Sequence, residues 1–255
     1  MTRLRVLLIL IACIAAGQAA FSQAPAGAIV IKGKGIKNAD KSRSILARKR
    51  FYLFPGSLKD NQPLIDRIKA AEIVSRDCYY TGAGASSCFI AWLKQENCES
   101  PFCRMVKQED IARVPEFKTA YDKGIATFTK RPGLALDWIL DALPQPFSIG
   151  FYRQQRTVID KILGTQKPLQ SIMSTSTAVE ATFVGIEAGE KPKKFTISNV
   201  LPVEIDSKSY VWTCEVDVTA GKTSAIPLTM DAAKKNCVIV SKDLKACSTG
   251  ACTAK

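Results

Sequence analysis

Eight cysteines spread over the last two thirds of the chain, at 78, 88, 98, 103, 214, 237, 247 and 252, constrain its fold more than any other feature. Two of the intervals repeat: residues 98–103 read CESPFC and residues 247–252 read CSTGAC. Whether such pairs staple loops, hold a metal or run redox chemistry decides the compartment and the class of the protein. The N-terminus bears on the choice. MTRLR is a short basic segment, and VLLILIACIAA is an apolar run of about ten residues, the length of a secretory core and too short to span a bilayer. The small residues of GQAAFSQAPAG follow, with cleavage points between Ala19 and Ala24. Residues 1–23 therefore read as a signal peptide, and the protein as secreted or periplasmic. LIAC, ending at Cys13, resembles a lipoprotein box and makes anchoring there the alternative, although it comes early and apolar residues continue past it.

Removing that segment takes away Arg3, Arg5 and Cys13, so the formal charge falls from +13 to 13 − 2 = +11 and the cysteine count from nine to eight. An even count in an exported chain reads as disulfides. The C-x4-C spacing also borders on that of structural zinc, whereas the lack of C-x-x-C weighs against a thioredoxin-type site. Out of 105 possible connectivities, four mostly local bridges are expected. Cys98–Cys103 and Cys247–Cys252 close their own loops, and Cys78–Cys88 and Cys214–Cys237 complete the set.

The period of the apolar residues changes twice. GAIVIKG and LARKRFYLFPG alternate as strands and place the first β elements in residues 24–57. From 58 to 170 the spacing is helical. Asp60 or Asn61 precedes Pro63 at one start, Ser86 or Ser87 caps SSCFIAWLKQE, and Pro115 opens PEFKTAYDKGIATF. GLALDWILDAL and FYRQQRTVIDKIL repeat the pattern, for four or five short helices. Over 171–242 the period returns to two. In YVWTCEVDV, residues Trp212, Cys214, Val216 and Val218 share one face. Residues 243–255 have little to bury and read as an exposed tail pinned by its own cysteine pair. Strands at both ends with helices between them give an α+β molecule. Two N-terminal strands cannot make a stable sheet alone, so those near 29–31 and 50–54 are expected to pair with strands after 170.

At FTISNVLPVEI and CEVDVTAGKTSAIPL the sequence resembles the carboxypeptidase regulatory-like (transthyretin-like) domains. Phe195, Ile197, Asn199, Val200 and Pro202 fit that family's strand-ending corner, and Val216, Val218, Gly221 and Lys222 its following hairpin. The opening GAIVIKG…ILARKRFYLFPG is similar to its first two strands. The resemblance implies an antiparallel β-sandwich interrupted by a disulfide-stapled helical insertion, and a binding or stability accessory with no catalytic role. Val203 stands where the family usually has glycine.

Chemistry-bearing residues are few. The chain has no histidine, which excludes Ser-His-Asp triads, Cys-His dyads, imidazole-ligated zinc and histidine bases. Asp137 and Asp141, four apart, would share a helix face and are the basis of the alternative expectation, a secreted hydrolase with a carboxylate site in the insertion. TGAGASS, residues 81–87, precedes a helix but lacks the lysine of a phosphate loop. Arg153 and Arg156 in FYRQQR have the spacing and chemistry to grip a carboxylate or phosphate.

Charge is the strongest signal. Residues 32–50 hold Lys32, Lys34, Lys37, Lys41, Arg43, Arg48, Lys49 and Arg50 against Asp40 alone, a local 8 − 1 = +7. If this run forms the first hairpin, Lys34, Lys37, Lys41 and Arg43 crowd its loop as anion contacts, and alternation turns Lys49 away from Arg48 and Arg50. The expected function is a non-enzymatic binding or structural module of the cell envelope, with no cofactor and no metal, facing an anionic polymer or an acidic protein surface. Nucleic acid is not expected, because beyond Phe51 and Tyr52 no aromatics interleave with the basic run.

Overall fold

The computed structural model describes residues 26–33, 46–175, 180–205, 208–230, 236–244, 247 and 250–252. Lys34, Lys37, Lys41, Arg43, Cys13 and the proposed signal segment lie outside the described residues. Where four or five helices were expected, the described residues form eight α-helices: α1 (Gln62–Ala70), α2 (Arg76–Gly82), α3 (Ser87–Gln95), α4 (Gln108–Arg113), α5 (Pro115–Thr127), α6 (Leu134–Asp137), α7 (Ile139–Ala142) and α8 (Phe151–Leu163). A 3-10 turn, Pro101–Cys103, follows α3, and a π-turn, Pro146–Gly150, leads into α8.

Among the described residues nine strands form two sheets. The smaller has the order β4 (Glu180–Glu187), β1 (Ala26–Lys32), β8 (Thr223–Pro227). The larger runs β3 (Gln170–Met173), β2 (Arg50–Pro55), β5 (Lys193–Ser198), β7 (Lys208–Val218). β6 (Val203–Ile205) continues β5 along the same edge of β7, and β9 (Cys237–Asp243) pairs with the other edge. All pairings are antiparallel except β1 with β8.

Both N-terminal strands pair across the helical stretch, as expected, but not with each other. β1 meets β4 and β8, while β2 meets β3 and β5. The expected first hairpin is therefore corrected to a crossing between sheets. The same holds at TAGK, which the resemblance made a hairpin turn: β7 belongs to the large sheet and β8 to the small one. Each crossing has the same cause, since a sandwich core needs apolar faces from both sheets. Ile29, Ile31, Phe183 and Ile186 from the small sheet pack against Phe51, Leu53, Phe195 and Trp212 from the large one. Trp212, Cys214, Val216 and Val218 all face that core.

The large sheet is covered on its second face too. Tyr52, Phe54, Val200 and Val211 pack against Leu64 and Ile68 of α1 and Ile159 and Ile162 of α8. Four consecutive buried residues, Phe51–Phe54, thus serve two cores. Fully burying side chains of this size is worth roughly 1.5–3 kcal/mol each. The remaining helices hold a third cluster around Phe89, Trp92, Phe117 and Ile139.

All eight cysteines at 78 and beyond are oxidised. Cys98–Cys103 and Cys214–Cys237 pair as expected, the second across the β7–β9 ladder. The other two pairs correct the expectation: Cys78 of α2 bonds Cys247, and Cys88 of α3 bonds Cys252. The described residues beyond β9 are not buried, and the helices hold them instead through these two bridges, with Ser87 Oγ donating to Ala251 O at 3.1 Å. The four bridges leave none of these thiols for zinc, and fit an oxidising, extracytoplasmic compartment. No described helix is long and apolar enough to cross a membrane.

A candidate anion-binding cleft

The basic run ends where β2 begins, and that junction builds the site. Arg48 stands in a left-handed conformation at φ 59°, uncommon for a residue with a β-carbon. Two contacts hold it there: its backbone N–H donates to Thr175 O at 3.3 Å, and its guanidinium to Cys103 O at 3.1 Å. Lys49 N donates to Ser174 Oγ at 2.9 Å, and its ammonium pairs with Glu99. Arg50 donates to Ser171 Oγ on the neighbouring β3 at 3.2 Å. The alternation expected through this run is thereby broken. The strand starts only at Arg50, and Arg48, Lys49 and Arg50 line one cleft of about 530 Å³.

Three further elements wall it. The stapled loop Asn97–Cys103 supplies Glu99 and Phe102. The β5–β6 corner supplies Asn199, Leu201 and Pro202. That corner is fixed by Asn199, whose amide donates to Leu201 O at 2.7 Å and whose Oδ1 accepts from Trp212 N at 2.7 Å. From α8 come Tyr152, Gln155, Arg156 and Ile159. Those four numbers run i, i+3, i+4, i+7, one stripe of a helix, so the cleft-facing side of α8 is written in its sequence.

The electrostatics are one-sided. Among the described residues, Arg48, Lys49, Arg50 and Arg156 line the cleft with Glu99 as the single acid. Arg156 also pairs with Asp160 one turn on, at 3.0 Å, between side chains that are 72% and 56% exposed; such a pair is worth little in water. At the floor lies Tyr52, 6% exposed. Burial pushes its hydroxyl above the ordinary phenol range, opposed by the positive fields of Arg50 and Arg156. Arg50 and Arg156 line the same cleft as this tyrosine. An arrangement of this kind receives carboxylate, phosphate or sulfate oxygens.

A small crevice of about 30 Å³ adjoins the cleft and shares Gln155, Leu201 and Pro202 with it. Ile73, Val74 and Val158 line it, and Glu204 closes it. Burial raises the Glu204 carboxyl above the usual carboxylate range, against the N–H of Arg76, which donates to it at 2.9 Å.

Other candidates lie apart from this site. Arg153 donates to Gln145 Oε1 at 3.2 Å and does not line the cleft. Asp137 and Asp141 fall on different short helices, α6 and α7, both exposed and both outside the cleft. At the Gly-rich loop, Glu116 fills the place an anion would take: it accepts from Ser86 N at 2.6 Å and Ser86 Oγ at 2.7 Å. Among the described residues no cluster of metal-ligating side chains occurs. Compared with known proteins, the chain has no significant match among family models, curated proteins or solved structures.

Proposed function

We propose that the protein is an exported, non-enzymatic binding module of the cell envelope, and that the cleft holds an anionic polymer. The transthyretin-like resemblance belongs to the same proposal, since such sandwiches commonly serve as binding accessories. One observation carries the reading: four cationic side chains from β2, its leading turn and α8 line one cleft that, among the described residues, contains a single acid. Folding alone gives no reason to gather like charges, whose repulsion has to be offset elsewhere.

Glu99 is informative about the ligand. Its carboxylate already sits on Lys49, so the wall accepts a carboxylate, and an incoming anion competes with it. Binding is weak, fast and salt-sensitive, because exposed charges are screened beyond about 8 Å at physiological ionic strength. The test is retention of the oxidised protein on an anionic matrix and on isolated envelopes, at low and high salt. Arg50→Ser and Arg156→Ser are expected to elute early at low salt. Glu99→Gln frees Lys49 and is expected to elute later than wild type. Unchanged retention in all three would remove the cleft from the function.

A further inference from the structure

Charge is only half of the cleft. Two aromatic rings stand exposed in its walls, Phe102 at 43% and Tyr152 at 44%. Neither is on a loose support. Phe102 lies in the 3-10 turn closed by Cys98–Cys103, a ring of five residue steps. Tyr152 is the second residue of a thirteen-residue helix. Rings this large usually gain from burial, and here each lines a basic site from a rigid support. The same cleft is lined by Arg50, Arg156 and Tyr52, and by Gln155 and Ser171, which carry an amide and a hydroxyl.

This inference rests on the anion-binding reading and narrows its ligand. We propose that the cleft binds an acidic polysaccharide through individual sugar rings that carry a carboxylate. A pyranose presents a flat face of C–H bonds that packs on an aromatic ring, and its hydroxyls suit amide and hydroxyl partners. A uronic acid adds a carboxylate on the same ring, which a guanidinium receives bidentately. Stacking face and charge are then one unit, which suits a cleft where both kinds of partner occur together. A polyanion without rings would leave Phe102 and Tyr152 in water. A lipid would need a continuous apolar wall, and here arginines interrupt it. In a single-stranded nucleic acid the stacking base and the phosphate are separate units, so aromatics and cations are spread along a groove.

The experiment measures affinity of the oxidised full-length mature chain, at low salt, for four probes. Polygalacturonate has ring and charge, polyglutamate charge only, dextran ring only, and a single-stranded oligonucleotide phosphate with bases. Polygalacturonate is expected to bind tightest and dextran not at all. Phe102→Ala and Tyr152→Ala are expected to weaken polygalacturonate on the order of tenfold, the effect typical of one lost stacking contact, and to leave polyglutamate unchanged. Arg50→Ser and Arg156→Ser weaken both. Because Phe102 and Tyr152 are exposed, their replacement leaves the cores intact. Equal affinity for polyglutamate and polygalacturonate, indifferent to the aromatic variants, overturns the saccharide inference and leaves anion binding standing. Tightest binding of the oligonucleotide, lost in the aromatic variants, overturns it in favour of nucleic acid. Failure of every anion to bind overturns both this inference and the reading it rests on.

Discussion

Asp110 illustrates how one buried charge organises the helical unit. It is 2% exposed, and its carboxylate accepts from Arg104 at 2.7 and 2.9 Å, from Trp92 Nε1 at 2.8 Å and from Lys107 N at 2.8 Å. Arg104 in turn lies 4.8 Å above the Trp92 ring. Burial alone would push this carboxyl up, but the bonds from Arg104, Lys107 N and Trp92 together hold it below the usual range. A carboxyl depressed in the folded state gives stability that is present above its unfolded value, near pH 4, and is lost as pH falls through the folded one. Asp110→Asn is expected to cost about 3 kcal/mol at pH 7, the scale of a broken buried ion pair. Urea titrations should show the gap to wild type closing as pH falls below 4, through the lowered folded value. Glu204 has the opposite sign. Its carboxyl is raised, mainly by burial, so its contribution is favourable below the unfolded value and lost as pH rises through the folded one. Glu204→Gln keeps an acceptor for Arg76 N and should raise the urea midpoint at pH 7, with no gain at pH 4. At this scale the sequence pointed to the basic run, and its last three residues do line the cleft. It could not single them out, because their convergence depends on the left-handed turn at Arg48 and on contacts with residues 99, 103 and 171–175. Glu99 and Phe102 carried no signal beyond their place in CESPFC.

Elements were legible in proportion to their length and to the number of faces they bury. α5 and α8 stand where helical spacing put them, with Pro115 opening the first, and Ser86 caps α3 by accepting from Phe89 N at 3.1 Å. β3 and β6, four and three residues long, are too short to show a period. GLALDWILDAL divides at Trp138 into two four-residue helices, where one continuous helix was expected. Asp60 or Asn61 was expected to cap α1, and Asn61 holds the N-cap position without a side-chain cap bond. Its amide instead reaches back to Pro55 O and Ser57 O and across to Thr196 Oγ1, joining α1 to the large sheet. Gly124 shows why helix propensity is a poor guide to an element inside a packed unit. An alanine there would favour an isolated helix by about 1 kcal/mol. However, its β-carbon would lie 2.9 Å from Ala135 Cβ and 3.0 Å from Ala135 Cα, at the contact of α5 with α6. Overpacking of that kind costs about 1–3 kcal/mol. Gly124→Ala should therefore lower the thermal midpoint, and the double variant with Ala135→Gly should recover part of the loss. A rise in the midpoint of the single variant would mean that α6 shifts freely against α5.

For the whole molecule, alternation and helical spacing were enough to announce an α+β molecule with helices between its strands, and the resemblance implied the sandwich, but neither told which strand meets which. β1 and β2 read like a hairpin because only a basic segment separates them. Their partners lie more than a hundred residues away, where no local pattern reports the pairing. The cysteines failed in the same manner: nearest-neighbour pairing missed the two bridges that span 169 and 164 residues. These two ties interleave along the chain, and that sets their energetics. While Cys88–Cys252 remains, Cys78–Cys247 closes only the small ring made by ten residue steps from 78 to 88 and five from 247 to 252. In the chain-entropy account a ring of roughly 15 residues is worth about 3 kcal/mol, and a first closure of more than 100 residues about 5. Either single removal, Cys78→Ser with Cys247→Ser or Cys88→Ser with Cys252→Ser, should therefore cost about 3 kcal/mol. Removing both should cost about 8, more than twice the single loss. Urea unfolding of the three variants measures this, after peptide mapping under non-reducing conditions has established the remaining pairs. A quadruple variant that loses no more than twice the single value would mean that the bridges act through packing of the C-terminal segment against α2 and α3, and not by closing the chain around the sandwich.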